Sequence, residues 1–218
     1  MIRIEPEQWH LQLFAKALTL VDILRQPTQD YLALTNEKKD ALRQSQIELN
    51  EVIRVLGFHD HHALIMKSDK VIGWVLTAEI FVDKNIVAFD APIFLRQQTK
   101  TFFEHWQGTP YVWGGVTRSG IDCSGLSQQF YRSVLSCIIP KNSYDQRKAG
   151  RSKPLHDIAN HDLVFCTRIA GRGIHHVGIY VEGEIWHAHG ERGVIHQLMN
   201  DFLTDYQVLD VVCEVAAV

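Results

Sequence analysis

The sequence predicts an α+β protein built from a small all-β unit and a following domain of mixed helices and strands. Between residues 45 and 80, short apolar strands alternate with turn signals, a pattern typical of a small antiparallel barrel. A helical run then begins at Cys123, and residues 175–190 carry two strands around a turn signal at Gly183. The 218 residues are sufficient for two domains. We expect these domains at residues 1–82 and 99–218, joined by a linker at 83–98.

The composition is that of a soluble globular protein, with 46% hydrophobic and 22% charged residues and a net charge of −3. Neither a concentrated basic patch nor an apolar run of about 18 residues is found, so we expect no nucleic-acid partner and no membrane span. The four cysteines have neither disulfide nor zinc-site spacing. The first residues lack the features of a secretory signal. We therefore expect a cytoplasmic, reduced protein with no cofactor, and the oligomeric state is left open.

The elements of the first unit are predicted to be short. Residues 1–20 are expected to form an N-terminal arm or short helix, because Pro6 suits a first helical turn. Residues 21–25 alternate like a strand, and residues 30–43 are compatible with a short helix or a surface loop. The predicted barrel strands are residues 47–49, 52–56, 63–66 and 71–76, with turns at Gly57 and at 68–70.

Residues 59–62, with the sequence His-Asp-His-His, suggest a metal site at first inspection. Adjacent histidines on a strand point to opposite faces, and no further ligand spacing completes a site. We therefore predict a solvated turn and no bound metal.

The second domain is predicted to begin with a helix at residues 99–106 that buries Phe102, Phe103 and Trp106. A second helix runs from Cys123 to about residue 135. Residues 162–166 form a buried strand, and the hairpin at 175–190 places one histidine on each arm.

Cys123 lies between Asp122 and Ser124, immediately after a glycine-rich turn and at the start of the predicted helix. The amides and dipole of a helix N-terminus stabilise a thiolate, so we expect a lowered thiol pKa and a reactive cysteine. A single cysteine among small residues can equally be an inert core residue.

Several segments resemble the NlpC-type bacterial cell-wall peptidases, which are papain-like cysteine hydrolases. The resemblance is carried by residues 108–115 (GTPYVWGG), 120–126 (GIDCSGL) and 176–180 (HVGIY). It implies a papain-like fold for the second domain. Residues 45–52 and 73–75 are similar to strands of the bacterial SH3-like domain, although Asn50 replaces the usual glycine, so the preceding barrel is expected to be SH3-like.

A cysteine hydrolase needs a thiol, an imidazole that takes its proton, and a third group that fixes the imidazole tautomer. Cys123, His176 and His187 supply these groups, and the resemblance implies the same roles. The two histidines can meet because they lie on opposite arms of a short hairpin. His189 has the same parity as His187 and is a competitor for the third role, whereas His175 points to the opposite face.

The resemblance also implies residues of the cleft. The Tyr111 hydroxyl is expected to assist the Cys123 amide in binding the oxyanion, and Trp113 is expected to form a wall unless it only packs on the glycine turn. Residues 139–146 are similar to the family segment L-P-R-x-S-x-x-Q, with Lys141 in place of arginine. Ser143 and Gln146 are therefore candidate substrate contacts, with a helix N-cap as the alternative for Ser143.

The order of domains and motifs is similar to that of the γ-D-glutamyl-L-diamino acid endopeptidases. The resemblance implies cleavage of the γ-D-Glu–diamino acid bond in peptidoglycan stem peptides that carry a free N-terminal L-Ala, a cell-wall recycling reaction. A desolvated ammonium needs a partner, and Asp122, assisted by Ser124, is the candidate. The alternative for Asp122 is a purely structural carboxylate at the helix start. Glu79, from the all-β unit, is a second candidate for the amine.

Three other functions compete with this hypothesis. They are a papain-like amidase or acyltransferase acting on another substrate, a non-catalytic cell-wall-binding protein, and a zinc hydrolase built on the 12 histidines. The cysteine and two histidines argue against the second, and no HExxH-like spacing supports the third. The identity of the diamino acid, diaminopimelate or lysine, is left open.

Overall fold

The structure is a computed structural model of the chain and describes residues 13–82, 86, 96–169 and 175–218. The chain divides into two compact units, Met1–Ile93 and Phe94–Val218. Most of the predicted linker at 83–98, and residues 1–12 of the predicted arm, lie outside the described residues.

The first unit is a seven-stranded antiparallel sheet with the order β3-β2-β6-β5-β4-β1-β7. Its elements in chain order are β1 (Leu13–Ala17), β2 (Val21–Leu24), α1 (Asn36–Leu42), β3 (Arg43–Ile47), β4 (Val52–His59), β5 (His62–Met66), β6 (Ile72–Leu76) and β7 (Ile80–Val82).

Three predicted elements of this unit are wrong in detail. Residues 13–17 are a strand and not a helix or arm, because they pair with β4 and β7, which lie far away in sequence. The strand expected at 47–49 ends at Ile47, since Asn50 takes a positive φ of 64° in the turn that follows. Gly57 lies inside β4 at a bulge, so no turn interrupts that strand.

Buried charges in the first unit are paired within it. Asp22 accepts hydrogen bonds from the Tyr31 hydroxyl at 2.7 Å and from Arg43 Nε at 2.7 Å.

The predicted turn at 59–62 is present, with Asp60 exposed. His62, however, is 3% exposed and its Nε2 lies 3.2 Å from the Thr28 carbonyl oxygen, so this histidine is not solvated as expected.

The second unit contains a six-stranded antiparallel sheet with the order β10-β15-β11-β12-β13-β14 and a short β8–β9 pair. Its elements are α2 (Thr99–Trp106), β8 (Val116–Thr117), β9 (Gly120–Ile121), α3 (Cys123–Val134), α4 (Ser143–Ala149), β10 (Arg151–Lys153), β11 (Leu163–Arg168), β12 (His176–Val181), β13 (Glu184–His189), β14 (Gly193–Leu198), α5 (Met199–Asp205) and β15 (Tyr206–Cys213).

The helices cover both faces of this sheet. One face packs against α2 and α3 through a core that includes Phe102, Phe130 and Ile179. The other face packs against α5 through Phe202. The predicted helices at 99–106 and 123–135 are confirmed, with their apolar residues buried at helical spacing. In the part of the chain that the structure describes, no helix has the length and apolar character needed to span a membrane.

The hairpin of β12 and β13 is also confirmed. Its two-residue turn consists of Glu182 and Gly183, whose φ angles of 51° and 93° are both positive, as a type I′ turn requires. Val181 therefore pairs with Glu184, and β14 pairs with the outer edge of β13. This register sets which side chains of the three strands share a face.

The core predicts a difference between two Leu→Ala substitutions. Leu126 is 1% exposed against the sheet, and Leu198 is 58% exposed. Leu126→Ala should lower the free energy of unfolding of the second unit by roughly 3–5 kcal/mol, because it removes a buried side chain and leaves a cavity. Leu198→Ala should change it by less than about 0.5 kcal/mol. Denaturant titration of both variants measures the difference, and equal losses would contradict the packing described.

Candidate active site

The start of α3 is organised by the side chain of Asp122. Asp122 is the N-cap, and its Oδ1 accepts hydrogen bonds from the Gly125 amide at 2.6 Å and from the Ser124 hydroxyl at 3.1 Å. Its Oδ2 accepts from the Gly114 amide at 2.8 Å. The carboxylate thus joins the glycine turn to the first turn of the helix, and Cys123 becomes the first helical residue.

A buried lysine completes the partners of this carboxylate. Lys141 Nζ lies 2.9 Å from each oxygen of Asp122 and 3.3 Å from the Ser124 hydroxyl. Lys141 and Asp122 are 3% and 6% exposed. The carboxylate is therefore already paired with a cation of the chain. These contacts match the structural alternative for Asp122 and leave neither oxygen open to a substrate ammonium.

The Cys123 sulfur lies at the beginning of β12. It accepts hydrogen bonds from the backbone amides of Ser124 and Val177, and Val177 directly follows His176, the first residue of β12. Helix α3 contacts β12 and β13. The fold therefore brings the thiol to the first residues of the strand that carries the predicted base.

The two histidines predicted for catalysis are in direct contact. His176 Nε2 lies 2.8 Å from His187 Nδ1. His187 Nε2 lies 2.8 Å from Gln197 Oε1, and Gln197 Nε2 donates to Asp205 Oδ2 at 3.0 Å. A continuous chain of hydrogen bonds thus leads from His176 to Asp205.

The surroundings of these hydrogen-bonded side chains distinguish His187 from His189, its competitor for the third role. Tyr206 stacks on the His176 ring at a centroid distance of 5.1 Å, and Phe202 meets His187 edge-on at 5.3 Å. The Nδ1 of His189 instead accepts the amides of Glu191 and Arg192. His187 is thus the histidine that contacts His176. His175 is exposed, which agrees with the opposite-face orientation predicted for it.

The predicted cleft residues occupy different environments. Tyr111 is half-buried and pairs with Ile121 through an isolated bridge. Trp113 is 49% exposed in the turn before α3, which suits a wall that a substrate can reach. Ser143 is half-buried and is the first residue of α4, whose N-cap is Asn142 and not Ser143.

Gln146 and Glu79 differ in burial, since Gln146 is fully buried and Glu79 is half-buried. Gln146 is completely buried, and its Nε2 donates to the carbonyl oxygens of Ser124 and Pro140, both at 2.9 Å, so the expected substrate contact is wrong. It instead ties the segment before α4 to α3. Glu79 is half-buried in the first unit, where burial and the nearby Asp22 charge raise its pKa. Its predicted contact with the substrate amine stays a prediction.

Within the described ranges, no three His, Cys, Asp or Glu side chains are grouped so as to hold a metal ion.

Comparison with known proteins agrees with this geometry. Residues 108–212, which include Cys123, His176 and His187, match the model of the NlpC/P60 family. The second unit therefore contains a region similar to the NlpC/P60 family. A Haemophilus influenzae protein named probable endopeptidase is 39% identical over 97 residues, which cover 44% of this chain and 60% of the relative.

Two further relatives carry more specific names. A Bacillus subtilis gamma-D-glutamyl-L-lysine dipeptidyl-peptidase is 44% identical over 87 residues, 39% of this chain and 28% of the relative. An Escherichia coli K12 murein DD-endopeptidase MepS/murein LD-carboxypeptidase is 36% identical over 100 residues, 45% of this chain and 52% of the relative. The matched regions thus cover 28% to 60% of the curated relatives' own length. The NlpC/P60 domain and these names are consistent with a cysteine hydrolase.

Solved structures share the fold at low sequence identity. An NlpC/P60 endopeptidase from Photobacterium damselae subsp. piscicida has a TM-score of 0.61 and 13% identity, and the match covers 90% of this chain and 70% of that one. A Bacillus cereus NlpC/P60 family protein has a TM-score of 0.50 and 17% identity, with coverage of 96% and 65%. The NlpC/P60 domain of this chain therefore has the papain-like fold of mixed helix and sheet, as predicted. The SH3-like assignment of the first unit stays a prediction.

The electrostatics of the NlpC/P60 domain correct one expectation. Burial, and next the Asp122 charge, raise the pKa of the Cys123 thiol to about 12, whereas the Val177 and Ser124 amides and Lys141 lower it less. The expected low thiol pKa is therefore wrong, because desolvation outweighs the helix N-terminus. Burial also lowers the pKa of His187 to about 4 and that of His176 well below its usual value. The resting site is a neutral thiol with two neutral imidazoles.

Sequence reasoning did not find Gln197 and Asp205. Gln197 pairs with Ile185 in the sheet, and Ile195 pairs with His187, so Gln197 lies on the histidine face of β14. A hairpin that joins β13 to β14 through the turn after His189 would have put Gln197 on the same sheet face as His187, because side chains alternate between faces along a strand. The contact with Asp205 depends on how α5 folds back onto the sheet, which no local pattern indicates.

The ion pair at the helix start predicts the effect of replacing Lys141. Lys141→Met leaves the Asp122 carboxylate buried without its cation and should lower the free energy of unfolding by about 3–5 kcal/mol. Lys141→Arg retains the charge and should be less destabilising. Lys100→Met, at an exposed position, is the control and should have little effect. Denaturant titration compares the three, and a Met variant as stable as the Arg variant would refute the pairing.

The buried histidines predict loss of stability in acid. The His187 pKa is about 4 in the folded protein and 6.5 ordinarily, so between these values the unfolded chain binds more protons. Stability from this group is complete above pH 6.5 and is lost as the pH falls toward 4, with a size of about 3 kcal/mol. Free energies of unfolding at pH 7 and pH 4 measure it. His187→Asn should reduce the difference, and an unchanged difference would contradict the assignment.

Proposed function

We propose that this protein is a cysteine peptidase that hydrolyses an amide bond in the peptide stems of peptidoglycan. The observation that carries the proposal is the 2.8 Å contact between His176 and His187 beside the helix start that presents Cys123. A nucleophile, a base and a group that orients the base are the parts that acyl transfer through a thiol requires.

The proposed reaction begins with attack of the Cys123 sulfur on the substrate carbonyl carbon. His176 Nδ1, the ring nitrogen not bonded to His187, takes the thiol proton as the C–S bond forms. The tetrahedral oxyanion is stabilised by the Cys123 amide, which has no intrahelical acceptor at the first helical position, and by the Tyr111 hydroxyl. The C–N bond then breaks, and His176 gives its proton to the leaving amine.

Water completes the cycle. It attacks the thioester carbon and loses its proton to His176. The second tetrahedral intermediate then collapses to a carboxylic acid as the C–S bond breaks, and His176 returns the proton to the departing sulfur, which regenerates the free thiol and the neutral imidazole. Because the resting thiol has a raised pKa, removal of its proton is coupled to the attack and does not precede it. His187 has its pKa lowered to about 4 and so remains neutral while His176 becomes an imidazolium.

We propose the γ-D-Glu–diamino acid bond as the one that is cleaved. The support is the 44% identity to a gamma-D-glutamyl-L-lysine dipeptidyl-peptidase and the order of motifs in the sequence. The preferred substrates would be released peptides with a free N-terminal L-Ala, which corresponds to a recycling reaction. Since Lys141 already pairs Asp122, recognition of the amine would have to come from other groups.

The test compares three peptides and two variants. Wild-type protein is incubated with L-Ala-γ-D-Glu-diaminopimelate, with its N-acetylated form, and with a stem-peptide dimer joined by a D-Ala–diaminopimelate bond, and the products are identified by mass spectrometry. We expect cleavage of the free peptide and slow cleavage of the acetylated one. Cys123→Ala should reduce the rate by at least about 10³-fold, whereas Cys137→Ala, which removes a thiol elsewhere, should retain it.

Each outcome separates one part of the proposal. Equal rates on the free and acetylated peptides would refute selection of the amine. Cleavage of the dimer alone would replace the proposed bond with the one suggested by the name of the Escherichia coli relative. Turnover by Cys123→Ala would refute the thiol mechanism.

A further inference from the structure

We propose that Gln197 and Asp205 are positioning residues that fix the tautomers of both active-site histidines. The inference rests on the proposed cysteine-hydrolase function of the site. It follows from three consecutive hydrogen bonds, each between heavy atoms 2.8 to 3.0 Å apart.

Asp205 determines the orientation of the Gln197 amide. An ionised carboxylate has only acceptor oxygens, and it lies 3.0 Å from one end of that amide. The end that faces Asp205 must therefore be the NH₂ group. The other end, 2.8 Å from His187, is then the carbonyl oxygen Oε1.

The Gln197 oxygen determines where the His187 proton lies. A carbonyl oxygen accepts, so His187 carries its proton on Nε2. The neutral ring has one proton, and its Nδ1 is therefore an acceptor. That atom is the one 2.8 Å from His176 Nε2.

The last step reaches the proposed base. Because His187 Nδ1 accepts, His176 carries its proton on Nε2 and keeps a lone pair on Nδ1. Nδ1 is the nitrogen that must receive the thiol proton of Cys123. Exchanging donor and acceptor in any hydrogen bond of this series would place a proton on His176 Nδ1 and block the reaction at its first step.

The fold supports this arrangement from two elements. Gln197 lies on β14, on the same sheet face as His187. Asp205 ends α5, and the next residue, Tyr206, stacks on the His176 ring with an interplanar angle of 14°. The junction of α5 and β15 therefore orients the plane of one imidazole and, through Gln197, the proton of the other.

The experiment reads the protonation of the ring nitrogens by ¹⁵N NMR of the full chain labelled at histidine, near pH 8. Wild-type protein should show a proton on Nε2 of both His176 and His187. Asp205→Lys replaces an acceptor by a donor at an exposed position, so the Gln197 amide should turn over and the protons should move to Nδ1 in both rings. Gln197→Met should leave the His187 ring with a mixture of tautomers.

Asp201→Lys is the matched control. It makes the same charge change in the same helix, at an exposed residue that takes no part in the three hydrogen bonds. It should leave both tautomers as in the wild type. With the peptide substrate, Asp205→Lys and Gln197→Met should lower kcat roughly 10- to 100-fold with KM little changed, a loss similar to that on removing the outer hydrogen-bond partner of a metal-bound histidine.

The two readouts separate this proposal from the proposed function. Wild-type tautomers in both Asp205→Lys and Gln197→Met would overturn the role of these residues, whatever the activity. A wild-type protein that cleaves none of the peptides would instead refute the substrate assignment. The NMR comparison would still decide the present proposal in that case. Equal tautomer shifts in Asp201→Lys and Asp205→Lys would also overturn it, because charge alone would then explain them.

Discussion

The buried carboxylate of Asp122 is the constraint on which the rest of the site depends. It accepts amide hydrogen bonds from both sides of the nucleophile, from Gly114 in the preceding turn and from Gly125 in the helix, and it is neutralised by Lys141. A desolvated charge with unsatisfied oxygens would be strongly unfavourable, so these segments must meet for the domain to fold. Even the glycine is specified by this meeting, because a Cβ at Gly125 would collide with the carbonyl oxygen of Gly115. The position of the Cys123 thiol thus follows from the hydrogen bonds and the ion pair that the buried Asp122 carboxylate requires.

The second requirement of the site is a pair of neutral imidazoles in a dry environment. Aromatic rings cover His176 and His187, and burial lowers the pKa of both. The same burial raises the pKa of the Cys123 thiol, so no stored thiolate is present at rest. Orientation of hydrogen bonds, and not permanent charge, prepares these groups for proton transfer.

Sequence patterns predicted those elements whose stability is mostly local. The helix at 99–106, the helix that begins at Cys123 and the hairpin around Gly183 were predictable because apolar periodicity, an N-cap and turn chemistry act over a few residues. The failures involve partners that are distant in the chain. Residues 13–17 form a strand because β4 and β7 flank them, and His62 is buried because another segment covers it.

For the candidate active site, the sequence by itself predicted the proposed nucleophile and the two histidines, since a cysteine at a helix start and a histidine on each hairpin arm are local features. Only the tertiary structure decided what surrounds them. It paired Asp122 with Lys141, buried Gln146, selected His187 over His189 for contact with His176, and brought Gln197 and Asp205 into the same series of hydrogen bonds. The physical reason is that burial and hydrogen-bond partners are set by segments that meet only on folding. The residue types therefore determine which functional groups the site contains, and packing determines the protonation and orientation of each group.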